Sequence, residues 1–138
     1  MIILDTNVLS EALKPVPEPI VIGWLERQGN EGLYTTSITE SELLFGVALL
    51  PPGKRRSGLL SDIERYLAGF TLRMRPFDSS AARMFPVVAL ERRAAGRAVQ
   101  HFDTQIAAIA RSLGATVATR DIPDFEHCGI GLINPWDV

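Results

Sequence analysis

The sequence predicts an α/β fold in which a mostly parallel sheet is covered by helices on both faces. Three observations lead there. Short apolar runs alternate with helix-patterned stretches along most of the chain, an order that favours parallel strands joined by crossover helices. The first run, Ile2-Ile3-Leu4, is continuous rather than alternating, as a strand buried on both faces requires. The chain has 138 residues, a length that suits one domain burying roughly two-thirds of its unfolded surface.

After the opening strand, a helix is predicted from Thr6 or Asn7 through Val8, Leu9, Ala12 and Leu13, stopping before Pro15. A second covers roughly Ile20 to Arg27 and stops near Gly29, and Leu33 to Ser37 reads as a strand. Thr39-Glu40-Ser41-Glu42 matches a capping box, followed by Leu43, Leu44, Val47 and Leu50 at helical spacing. Pro51-Pro52-Gly53-Lys54 breaks the chain, and a helix runs from Arg56 or Ser57 to Ala68. Leu72 to Pro76 is a short strand candidate. Asp78-Ser79-Ser80 caps a helix reaching about Ala95, with Pro86 kinking it or marking its first turns. A helix from Asp103 to Leu113 ends at Gly114, the residue type suited to a left-handed cap. Thr116 to Thr119 and Gly131 to Asn134 are the last strands.

Bulk properties exclude several classes. The formal net charge is −2 and the pI about 5.7, which argues against sequence-blind coating of nucleic acid. Local handling of one phosphodiester stays open. Twelve of the fourteen cations are arginine; Lys14 and Lys54 are the only lysines. Arginine's planar fork suits phosphate, and a genome-composition bias explains the same count. Cys128 is the only cysteine, which suits a reducing compartment. No basic segment precedes the first apolar run, and no stretch approaches the roughly 20 apolar residues of a membrane span. A cytoplasmic protein is expected.

Four acids carry the chemistry. Asp5 ends the first strand, Glu42 opens a helix, Asp103 opens another, and Asp121 follows the strand at Thr116. Strand ends in parallel sheets are where ligands bind. Carboxylates are costly to gather unless a cation neutralises them, and magnesium prefers oxygen ligands while keeping several waters. Each acid also has a plainer reading: Asp5 and Asp103 as helix caps, Glu42 as the capping-box glutamate, Asp121 as a turn former. Thr6, Asn7 and Thr119 sit beside the acids as supporting residues or ordinary caps, and Arg120 as a phosphate contact or an acid's partner.

The residues then match a known family. Ile3-Leu4-Asp5-Thr6-Asn7-Val8, Ser37-Ile38-Thr39-Glu40-Ser41-Glu42-Leu43, Gly46-Val47, Asp103 with Ile106-Ala107-Ala108, Val117-Ala118-Thr119-Arg120-Asp121 and Asn134-Pro135-Trp136 occur in order along nearly the whole chain. The chain resembles PIN-domain proteins, specifically the VapC-type toxins of bacterial toxin–antitoxin modules, in their FitB-like branch. The resemblance implies a single PIN domain over 1–138, built as a three-layer α/β/α sandwich. It implies a ribonuclease dependent on Mg2+ or Mn2+, with Asp5 and Asp103 as main ligands and Glu42 and Asp121 completing the site directly or through water. It places Thr119 at a supporting hydroxyl. It implies an RNA substrate, a cognate antitoxin that covers the active site and alone contacts operator DNA, and a homodimer. His101-Phe102 depart from the small residues relatives often carry before the third acid.

Other readings compete. An α/β phosphatase would use Asp5 as a nucleophile, but no aspartate stands two residues on and no lysine follows Lys54. A module that binds RNA or antitoxin without cutting would have no need of four acids. Lys54-Arg55-Arg56 and Arg92-Arg93 with Arg97 read as an RNA guide or a solvated face. Phe45, Leu49, Leu50, Leu59, Leu60 and Ile63 read as core, with part of them available for a dimer or antitoxin surface. Trp24 and Trp136 read as packing anchors, His101 as a surface or supporting residue or else an RNA contact or a group near the metal, and His127 as structural.

Overall fold

A computed structural model describes residues 1–138. Strands β1 (Ile2–Leu4), β2 (Leu33–Thr36), β3 (Met74–Arg75), β4 (Thr116–Ala118) and β5 (Gly131–Ile133) form one sheet in the order β3-β2-β1-β4-β5. Every pairing is parallel. The chain steps outward from β1 to β2 and β3, then returns to the other side of β1 for β4 and β5. The winding therefore reverses between β1 and β4. Loops leaving those two strands diverge to opposite faces, which opens a crevice at their carboxyl ends.

Alternation along the strands feeds two cores. Leu4 and Ala118 face helices α1 (Thr6–Ala12), α2 (Pro19–Gln28), α3 (Ser37–Ala48) and α4 (Lys54–Ala68), packing with Val8, Leu9, Trp24, Leu43, Val47, Ile63 and Phe70. Ile3 and Val117 face the other way, towards α5 (Ser79–Ala94), α6 (His101–Leu113) and α7 (Ile122–Phe125), packing with Val88, Ile106, Ile109 and Phe125. The three-layer α/β/α order expected from the sequence is present. The period of two in a strand is what splits neighbouring residues between the layers.

Several boundaries differ from expectation, and two of them matter for the site. Helix α3 begins at Ser37, because the Thr36 hydroxyl accepts the Thr39 N–H at 3.1 Å and caps the helix there. Thr39 is thus inside the helix, and Glu42 closes no capping box. Helix α6 begins at His101 with Gln100 as its cap position, so Asp103 lies in the first turn and does not cap it. The strand expected over Leu72–Pro76 shrinks to Met74–Arg75, with Leu72 exposed in a 3-10 turn. The turn expected at Asp121-Ile122-Pro123 is the start of α7, where proline's missing N–H costs nothing. Helix α4 starts at Lys54, and α5 runs unbroken through Pro86. Gly114 adopts φ 62°, the left-handed cap expected of it.

Two groups of side chains also lie elsewhere than expected. Phe45 and Leu49 on α3 are mostly exposed rather than core. Arg92 is buried and donates to the carbonyls of Ala98, Pro123 and Glu126. It ties α5 to the α7 loop, and Arg97 pairs with Glu126 at 3.1 Å. Arg92 is thereby not free to guide RNA.

Candidate active site

The crevice at the switch point is a cleft of about 410 Å³ lined by Asp5, Thr6, Asn7, Ser10, Glu11, Lys14, Glu42, Asp103, Arg120, Asp121 and Trp136. All four acids singled out in the sequence line it. Topology explains the convergence. Asp5 leaves the end of β1, and Asp121 follows β4 by three residues. Helix α3 leaves β2 at the same rim, and α6, which runs back to start β4, begins there. Asp103 is therefore delivered by a helix beginning, Glu42 by the middle of α3, and the other two by strand ends. A larger cavity of about 610 Å³ lies between α2 and α4, lined by Leu13, Leu25, Tyr66 and Phe70. It lacks these four acids, so the smaller cleft is the candidate site.

Short polar side chains hold the acids in place. Asp5 is 5 % exposed. One of its oxygens accepts the Thr6 N–H at 2.8 Å, the other the buried Thr119 hydroxyl at 2.7 Å. The cap reading of Asp5 is thus correct and does not compete with a place in the site. The Thr119 hydroxyl in turn accepts from the Asp121 N–H at 3.0 Å and from Asn7 Nδ2 at 3.3 Å. Asn7 Nδ2 also reaches Asp121 Oδ2 at 3.1 Å, and Asn7 Oδ1 accepts the Arg120 N–H at 3.3 Å. Thr6 Oγ1 donates to Glu42 Oε1 at 3.0 Å. Thr6, Asn7 and Thr119 thus form the scaffold that fixes Asp5, Glu42 and Asp121.

The electrostatics record a crowd of like charges. Burial pushes the Asp5 carboxyl up to about 6, with Glu42 and Asp121 adding to the rise and the Thr119 and Thr6 hydrogen bonds opposing it. Asp103 is likewise pushed up to about 6 by burial, then by Asp5, Asp124 and Asp121. Glu42 is raised by burial, with Asp103 contributing and the Thr6 hydrogen bond opposing. A cation is the economical remedy for such a cluster.

The donor set is all oxygen, which fits a hard divalent ion. No three of the chain's His, Cys, Asp and Glu side chains are drawn together as a closed ligand cluster, however. The acids ring the cleft instead of meeting at one point. That arrangement fits an ion keeping several waters, some acids reaching it directly and others through water.

Sequence reading missed Ser10, Glu11, Lys14 and Trp136. The first three continue from Asn7 at i+3, i+4 and i+7, a polar stripe along one face of α1 and the turn after it, which was the available signal. Trp136, expected as an anchor, lines the cleft while packing in part on the core, with the Arg120 guanidinium 5.2 Å from its ring centre. Trp24 is the buried anchor expected. His101 is exposed, its ring 6.1 Å from Phe85, in a recess beside Glu42 and Asp103. His127 is exposed and lines no part of the cleft.

Comparison with known proteins agrees with this geometry. The family model described as PIN domain matches residues 2–128. VapC ribonuclease Y4jK of Sinorhizobium fredii is 41 % identical over 138 residues, covering 99 % of each chain. Toxin FitB of Neisseria gonorrhoeae is 39 % identical over 137 residues, again covering 99 % of each. The structure of FitAB bound to IR36 DNA fragment superposes with a TM-score of 0.94 at 37 % identity, covering 100 % of this chain and 97 % of that one.

Proposed function

Because the chain belongs to the PIN-domain family, we propose that it is a metal-dependent endoribonuclease, the toxin of a type II toxin–antitoxin module. The observation that supports this best is the single cleft at the β1/β4 switch point, lined by Asp5, Glu42, Asp103 and Asp121. Its relatives include a VapC ribonuclease and the toxin FitB.

In this reading Asp5 and Asp103 are the main ligands of Mg2+ (or Mn2+), and Glu42 and Asp121 complete the site. A bound divalent ion supplies an acidified water and neutralises charge developing on the phosphoryl oxygens. The chain's own residues do the positioning. Thr119 and Thr6 hold Asp5 with both oxygens aligned, Thr6 steers Glu42, and Asn7 links Asp121 to the β4 end. Any of these acids left deprotonated next to the attacking water can take its proton. Arg120, on Trp136, meets phosphate. The phosphatase alternative asks Asp5 to attack, yet no aspartate stands two residues on and no lysine follows Lys54.

The same reading brings a cognate antitoxin that covers the cleft and carries the DNA contacts, and pairing of the toxin as a homodimer; a FitAB complex bound to DNA is among the similar structures. No helix is long and apolar enough to cross a membrane, and an RNA substrate places the protein in the cytoplasm. The deciding experiment incubates total RNA with purified wild type and Asp5→Asn, each with magnesium and with chelator. Cutting by the wild type in magnesium alone supports the reading. Equal cutting by both proteins refutes it.

A further inference from the structure

An acidic cleft repels the substrate assigned to it. Asp5, Glu11, Glu42, Asp103 and Asp121 line it against only two cations, Lys14 and Arg120. An RNA strand needs fixed positive charge at the rim, since phosphate contacts dominate such binding. Both cations are held in place. Lys14 Nζ pairs with Glu11 Oε2 at 2.5 Å. Glu11 is 2 % exposed, and its other oxygen accepts the Glu18 N–H at 3.3 Å, so it cannot swing away. Lys14 remains 56 % exposed. An ammonium has three donors, and the pair with Glu11 leaves donors free at the mouth of the cleft. Arg120 flanks the same side: it stacks on Trp136 and its charge is felt by Glu11.

The Lys14–Glu11 pair lowers the pKa of the Glu11 carboxyl, the Lys14 hydrogen bond outweighing the opposing effect of burial. It is a good device for fixing where a flexible lysine points. We infer that Lys14 grips a backbone phosphate of the RNA beside the scissile one, with Glu11 as its positioning residue and Arg120 on Trp136 as the second grip of that flank. The inference rests on the nuclease reading.

The test measures steady-state cleavage, by the full-length protein in magnesium, of a labelled single-stranded RNA oligonucleotide that the wild type cuts, across KCl concentrations. Lys14→Gln is expected to raise KM roughly tenfold, the loss of one charge-assisted contact, with kcat little changed. The slope of log(kcat/KM) against log[KCl] should flatten by about 0.7, the value for one phosphate contact on a single strand. Lys14→Arg should restore the slope. Glu11→Gln should raise KM in the same direction, and the double variant should be no worse than Lys14→Gln. Arg65→Gln, an exposed residue of α4 paired with Asp62 at 3.6 Å, is the control that should match the wild type. Wild-type cleavage with unchanged KM and slope in Lys14→Gln overturns the inference while leaving the nuclease reading intact. A lower melting temperature in Glu11→Gln with KM and slope unchanged makes Glu11 a loop staple and overturns its positioning role. No cleavage by the wild type overturns the nuclease reading, and this inference with it.

Discussion

Replacing Asp5 with asparagine should abolish cleavage and, without metal, raise stability relative to the wild type as pH increases. The Asp5 carboxyl rises from 3.8 to about 6 on folding, so its ionised form is disfavoured in the folded state. At 1.36 kcal/mol per pH unit, that amounts to about 3 kcal/mol of lost stability at neutral pH. The sign follows from proton binding. The folded protein holds this proton more tightly than the unfolded chain, so the stabilisation is complete below the unfolded value and disappears as pH rises through 3.8 to about 6. Asparagine has nearly the same shape and no charge. It keeps the Thr6 N–H as donor to its oxygen. Its amide, however, faces a Thr119 hydroxyl that already accepts from Asp121 N and Asn7 Nδ2, and an oxygen with two lone pairs leaves no place for a third donor. Leaving the buried Thr119 O–H and the new amide unpaired costs about 1–3 kcal/mol, so near neutral pH the variant gains at most about 2 kcal/mol, or roughly 6 °C in melting temperature for a chain of this size. Thermal melts of both proteins in chelator, across pH, measure it. The variant's stability relative to the wild type should climb by about 3 kcal/mol as pH rises from below 3.8 to above about 6. A difference that does not grow with pH would refute the electrostatic account of the site.

Related outcomes follow from the same geometry. Adding magnesium should raise the wild-type melting temperature increasingly as pH rises past about 6, because protons compete for the Asp5 and Asp103 oxygens; Asp5→Asn should lose most of that response. Thr119→Val removes the hydroxyl that joins Asp5, Asp121 and Asn7, so activity should fall about 10–100-fold, measured as kcat/KM on the same oligonucleotide, with the fold retained by circular dichroism. His101→Ala should leave kcat within about a factor of three, since the side chain is exposed and makes no hydrogen bond to an acid; complete loss would show that His101 takes part in the chemistry.

Much of this protein was written in local pattern. The continuous apolar run Ile2-Ile3-Leu4 meant a strand buried on both faces because no polar residue interrupts it. Gly114 marked the end of α6 because a left-handed residue there is cheapest without a Cβ. Asp5, Asp103 and Asp121 were recognisable because each stands where an element begins or ends, and the order of elements placed those points on one rim; Glu42 lies inside α3 rather than at its expected start. Helix starts were less legible. Thr36 and Thr39 are both good caps, and the choice between them depended on where β2 releases the chain.

Tertiary structure decided the rest. Nothing local distinguishes Glu11 from a surface glutamate of a short helix; it is buried only because the turn after α1 folds over it and brings the Glu18 N–H to its oxygen. Arg92 reads as one of a basic pair, yet its guanidinium finds three carbonyls, one in the segment just after α5 and two at the far-off α7. Trp136 meets Arg120 only because β5 lies beside β4 and returns the C-terminal segment to the rim. Periodicity and capping act over a few residues and can be read along the chain. Burial, repulsion among Asp5, Glu42, Asp103 and Asp121, and the company of Lys14 depend on segments far apart in sequence, so their energies exist only once the sheet has assembled.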